Sequence, residues 1–169
     1  MASTVLANYS PEDVTILVAG FIPLTGYTNG SFVSITKDIM PFTSARTTDG
    51  RVARMYNNDQ TYTVEITLHS ASDSNDLLTK MWLLDEVTQR AKFPLLIKDQ
   101  LGSSLFFSTT SWIESIPTMG FGDTIGDRVW TIRSSQAVVN VGGNTDPSSL
   151  LEDITNIAAG ALPILGGLL

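Results

Sequence analysis

The stretch Thr61-Tyr-Thr-Val-Glu-Ile-Thr-Leu68 alternates without a break between polar and apolar residues. Successive side chains of a strand point to opposite faces. Tyr62, Val64, Ile66 and Leu68 therefore share one face, and Thr61, Thr63, Glu65 and Thr67 share the other. A period of two excludes an amphipathic helix here. It calls for a sheet with one buried face and one face that is wet or lines a polar lumen. The 169-residue chain is long enough to bury a core of its own. Its 37 Ser and Thr residues suit strands and turns better than helix interiors.

Other segments fall into place around this strand. Val14–Gly20 is a β-branched apolar run, and Pro23 would place any second strand at an edge or end it. Asn29-Gly30 signals a turn before a strand at 32–37, with Val33 and Ile35 on one face and Ser34 and Thr36 on the other. Residues 38–59 break the pattern with Pro41, Asp49-Gly50, Asn57-Asn58, three arginines and several exposed-looking apolar side chains. A loop of that length is usually functional or disordered, and Asp49-Gly50 could instead make it a projecting hairpin. Ser72-Asp-Ser-Asn-Asp76 has the caps and acids of a helix start, and Pro94 stops a helix expected over about 74–92, with Arg90 and Lys92 in its last turn. Strands follow at 93–98, 104–116 and from 128 towards 141. The expected organisation is a β domain over 1–143 and an apolar extension with a short helix over 144–169.

Charge and composition exclude several functions. There is no Cys, so no disulfide, zinc-thiolate site or thiol nucleophile. A net charge of −7 argues against non-specific gripping of nucleic acid, which needs clustered Lys and Arg. His69 is the single histidine and sits in the polar register at a strand end, where an exposed polar role is the expectation rather than a metal site or a Ser-His-Asp triad. Asp73, Asp76, Asp85 and Glu86 lack the spacing of a calcium loop. Gly120–Gly126 lacks the lysine and spacing of a phosphate loop. The front of the chain shows no secretion signal, and the uncharged stretch 154–169 is shorter than the ~18–20 apolar residues of a membrane helix. No cofactor, enzymatic activity or membrane insertion is expected.

The order of these segments is informative. Tyr9–Gly20 precedes a hairpin expected over 26–35; a long segment leads through Asp49-Gly50 to Asn57-Asn58-Asp59 and the Thr61–Leu68 strand; Ser72–Leu77 then opens a helix. As an ordered series over about residues 9–140, this resembles the tail tube proteins of contractile-tailed bacteriophages, whose fold is shared by tailocin and type VI secretion tubes. The resemblance implies a mainly β fold with one flanking helix, an antiparallel sandwich or half-barrel that closes into a large β-barrel ring on oligomerisation. It implies homohexameric rings stacked into a hollow tube, inside a virion tail assembled in the host bacterial cytoplasm. The implied partners are further copies of the chain, the tail sheath protein, baseplate and tail terminator proteins, and the tape measure protein and DNA passing through the lumen. The extension after Gly143 is not part of the pattern.

Three groups of residues are then candidates. Ser34, Thr36, Thr63, Glu65 and Thr67 face the lumen by alternation and resemblance. Met40, Phe42, Arg46, Arg51, Arg54, Met55 and Tyr56 bridge stacked rings. Leu162, Ile164, Leu165, Leu168 and Leu169 pack on a neighbouring subunit or the sheath. The competing reading is a monomeric β-sandwich binding module with Tyr27, Trp112 and Trp130 as an aromatic platform, although alternation puts Trp130 with Ile132 in a core. A tube-capping or baseplate tube-initiation protein would share the fold.

Overall fold

The computed structural model describes residues 9–143. The described residues divide into two compact units, one made of 9–24, 93–109 and 138–143, the other of 25–92 and 110–137.

In the first unit, a single 3-10 turn at Pro11–Asp13 leads into β1 (Val14–Val18) and the two-residue β2 (Ile22–Pro23). Three further strands of the fold come later in the chain: β7 (Phe93–Asp99), β8 (Leu105–Ser115) and β9 (Asp127–Asn140). The order within this unit is β2-β1-β7-β8, so the proline strand is at the edge as expected. Antiparallel pairing sets Ile16 opposite Ile97 and Val18 opposite Leu95, and all four are buried. Leu24, Phe93, Leu105 and Phe106 complete this core.

The second unit contains β3 (Val33–Lys37), β4 (Phe42–Arg46), β5 (Val52–Tyr56), β6 (Thr61–His69), α1 (Ser74–Thr88) and most of β8 and β9. Its sheet order is β8-β9-β6-β3. The β6 alternation comes out as read: Val64, Ile66 and Leu68 are fully buried while Glu65 is exposed. Trp130, Ile132 and Ser134 continue that buried face on β9, and Ser134 meets Ser111 of β8 at 2.8 Å. The start of α1 is tied to the loop before β3. The Thr25 amide donates to Ser74 Oγ at 2.9 Å, and the Ser72 hydroxyl donates to the Thr25 carbonyl. Gly26 permits that approach, since a Cβ there would come within 2.6 Å of Ser72 and its φ is +76°.

Three sequence expectations need correction. The 26–35 segment is not a hairpin, because the strand at 33–37 pairs instead with residues 62–66 of β6. The helix ends at Thr88 rather than near 92, because Gln89 takes the left-handed conformation and its amide closes on the Asp85 carbonyl at 2.7 Å. Arg90 and Lys92 thus lie beyond it. Residues 38–59 are not a structureless loop; they hold the hairpin β4–β5, the alternative that Asp49-Gly50 left open.

Candidate functional site

The candidate functional geometry lies in two surfaces of the second unit. The first is the polar face of β3, β6 and β9. Register sets Ser34 opposite Glu65 and Glu65 opposite Thr131, forming one cross-strand row. The next row is Thr36, Thr63 and Arg133. Thr67 stands opposite Val129 and Thr61 opposite Ser135. The five residues expected to share a polar face therefore do share one.

Sequence reasoning missed what happens at the second row. Arg133 Nη1 bonds Asp38 Oδ2 at 2.7 Å, and its Nε donates to Glu114. The Thr63 hydroxyl donates to the other Asp38 oxygen. Burial works against the Asp38 charge, but the bonds from Thr63 and Thr61 and the nearby Arg133 outweigh it and hold the carboxyl below its ordinary value. The bond to Glu114 pushes the guanidinium in the opposite direction, upward, with both carboxylate charges adding to it against desolvation. Next to this network Asp59 is also lowered, first by the Thr61 hydroxyl and then by the Thr61 amide. One signal was available: Arg133 shares the odd register with Thr131, opposite to Trp130 and Ile132.

The second surface is the hairpin. Phe42 pairs with Tyr56, Ser44 with Arg54 and Arg46 with Val52 on one face; Thr43 pairs with Met55 and Ala45 with Ala53 on the other. Not one of these ten residues is buried. The Arg54 guanidinium lies 3.3 Å over the Phe42 ring, and Phe42 and Tyr56 rings are 5.3 Å apart. Arg51 makes only an exposed ion pair with Asp49 at the tip. Met40, just before β4, is 61% exposed. The seven expected bridging residues thus cluster in and beside one projecting element. Leu162, Ile164, Leu165, Leu168 and Leu169 lie outside the described residues.

The remaining candidates resolve simply. His69 Nδ1 accepts only a long 3.4 Å bond from the Ala71 amide. Trp130 is 2% exposed and donates its indole N–H to Asn75 at 2.9 Å, so it is a core residue and not part of an exposed aromatic platform. Asn75 is itself saturated, donating to the His69 and Ser72 carbonyls. A cleft of about 460 Å³ between the start of α1 and the segment after β8 is lined by Asp73, Asp76, Trp82, Ile116, Met119 and Arg128. Among the described residues no group of His, Cys, Asp and Glu could hold a metal, and no helix is long and apolar enough to cross a membrane.

This architecture is found in solved assemblies. The chain is similar to one in the sheath-tube complex of an extracellular contractile injection system, PVC, with a TM-score of 0.53 and 15% identity over 83% of this chain and 99% of that one. It is also similar to the tube-terminating cap of the anti-feeding prophage (TM-score 0.51, 14% identity, 83% and 99% covered). A third match is a chain of a native gene transfer agent virion (0.54, 12%, 79% and 100%). The fold is that of tail tubes and their terminators. No protein-family profile matches the chain. In sequence it is 32% identical over 154 residues to structural protein ORF10 of Pseudomonas phage KPP10, covering 87% of this chain and 89% of that protein. The chain belongs to this family of phage structural proteins, components of the virion, and its fold is of the tail-tube type.

Proposed function

We propose that the protein is the repeating subunit of an inner tail tube: copies close into hexameric rings, the rings stack, and the polar face of β3, β6 and β9 lines the conduit for DNA. The observation that carries this reading is the hairpin. A two-stranded hairpin is marginal in water alone, yet here all ten strand residues lack burial while Phe42, Met55 and Tyr56 are exposed. A second copy supplies the missing burial. The edge strand β3 supports ring closure in the same way, since its unpaired backbone groups invite another strand. The rows of hydroxyls with Glu65 suit a wall along which phosphates slide without sticking. The sheath surrounds the tube, baseplate and terminator cap its ends, and the tape measure protein and DNA occupy the lumen in turn. The apolar residues 162–169 pack on a neighbouring subunit or the sheath.

Negative-stain electron microscopy of the purified protein over a concentration series tests the proposal. Hollow tubes of uniform diameter are expected. A variant lacking Thr43–Arg51 should keep its fold and lose stacking; tubes of normal length from that variant would refute the bridging role. The similarity to a tube-terminating cap favours a second reading. A terminator would give rings that never stack on themselves but bind the ends of preformed tubes.

A further inference from the structure

On the polar face, the paired positions of β3, β6 and β9 are Ser34, Thr36, Thr61, Thr63, Glu65, Thr67, Val129, Thr131, Arg133 and Ser135, ending at His69 opposite Asp127. Arg133 is the single Lys or Arg among them. Arg128, its neighbour on β9, belongs to the opposite register and lines the cleft at the start of α1. Lys37 is also in the opposite register, paired with Tyr62, over whose ring it lies at 4.5 Å while donating to the Asp59 carbonyl. A face made for passing DNA thus carries one guanidinium, and a guanidinium fork is the group best shaped to hold a phosphodiester.

That fork is already occupied. Nε goes to Glu114 and Nη1 to Asp38, from two different elements on either side of it. Asp38 is in turn fixed by the Thr63 hydroxyl, directly across the ladder from Arg133. The Arg133 side chain nevertheless keeps 31% of its surface, so it is shielded by charge and not by burial. We infer that Asp38 and Glu114 mask Arg133 against nucleic-acid phosphate, making a phosphate site that is present but closed. The inference rests on the lumen reading for its purpose but not for its chemistry. The two carboxylates convert the one cation of this face into a locally acidic cluster, and Arg133 in return holds the ends of β3 and β8 to β9.

The test is binding of a labelled DNA duplex to the purified protein, read by fluorescence anisotropy. The parent chain should show no measurable binding at physiological salt. The double variant Asp38→Asn/Glu114→Gln should gain at least about tenfold, the scale of one charge-assisted contact, and lose it with rising salt at a slope of about −0.9 per phosphate contact. Adding Arg133→Gln should abolish the gain. A charge-matched control, Glu12→Gln/Glu86→Gln at exposed positions, should gain nothing comparable. No gain, a gain that survives Arg133→Gln, or an equal gain in the control would overturn the masking. If the double variant fails to fold by circular dichroism, Glu114→Gln alone carries the test and should show a smaller gain with the same dependence on Arg133. Tubes of the variant separate the two ideas. Bound DNA protected from nuclease supports both, whereas bound DNA that is digested leaves the masking intact and removes Arg133 from the lumen.

Discussion

The strands β6 and β4–β5 are made of similar residues and do opposite things. Both mix Thr, Ala or Ser with large apolar side chains, and both are antiparallel ladders. In β6 every second residue from Val64 to Leu68 is buried; in the hairpin none is. The difference lies in what stands opposite. Val64, Ile66 and Leu68 have neighbours on both sides in the sheet and further buried residues over the face, so their alternation is satisfied within one chain. Phe42 and Tyr56 have each other and Arg54 on one face, Met55 has Thr43 on the other, and all three apolar side chains stay exposed. A sheet completed inside the chain stabilises a fold, while one left open is a surface for assembly. The contrast can be broken by substitutions that act on one region and spare the other.

The largest effect is expected in the core. Ile66→Ala should cost about 2–5 kcal/mol, the usual range for a large-to-small change at a fully buried site. Urea unfolding followed by circular dichroism would measure it. A cost close to zero would mean that the β6 face is not the core of its unit.

Next comes the buried hydroxyl pair. Ser134→Ala strands the Ser111 hydroxyl, both being fully buried, and should cost about 1–3 kcal/mol. Replacing both should cost less than the sum of the two singles, because no polar group is then left unpaired. A double-mutant cycle measures that coupling; strict additivity would show that the two hydroxyls do not depend on each other.

A smaller effect follows from pH. The Asp38 carboxyl is lowered from 3.8 in the fold, so near pH 4 the unfolded chain binds the more protons. Its contribution is complete above the ordinary value and is lost as pH falls through the lowered one. Thermal midpoints should therefore drop as pH falls through 3.8 and below, and Asp38→Asn should flatten part of that drop by about 0.5–1 kcal/mol, the scale of partly exposed pairs. An unchanged slope in the variant would place the acid sensitivity elsewhere.

How much of this was legible beforehand follows from the range of each interaction. The β6 alternation, the edge proline at 23, the helix start at Ser72–Asp76 and the strands expected from 93 and 128 are local signals, and the structure bears them out to within a residue. The helix end was not legible, because Gln89 adopts a left-handed conformation usually left to Gly or Asn. The Asp38–Arg133–Glu114 network joins residues 95 and 19 positions apart, and no spacing rule connects them. Asn75 read as an ordinary first-turn residue; only the packing of Trp130 shows that it is the partner of an indole 55 positions away. The hairpin was legible as a possibility through Asp49-Gly50, where Gly50 takes a φ of +83° at the tip.

The smallest effect on the fold belongs to the hairpin, and it sharpens the comparison most. Tyr56→Ala and Met55→Ala remove side chains that are 65% and 54% exposed, so each should change the stability of the isolated chain by no more than about 0.5 kcal/mol. Arg54→Ala loses only its exposed stacking on Phe42, worth about 0.5–1 kcal/mol. Yet if the hairpin finds its burial on a second copy, the same three changes should raise the concentration needed for tube formation by tenfold or more each, since large side chains in the centre of an interface carry about 2 kcal/mol or above. Sedimentation velocity against concentration would read the assembly and urea unfolding the fold, from the same preparations. Ile66→Ala should show the reverse pattern under conditions where it remains folded, with a large loss of stability and little change in the assembly midpoint. If the hairpin variants instead unfold the chain and leave the assembly untouched, the hairpin is packed against its own subunit and the division between core and assembly surface falls elsewhere.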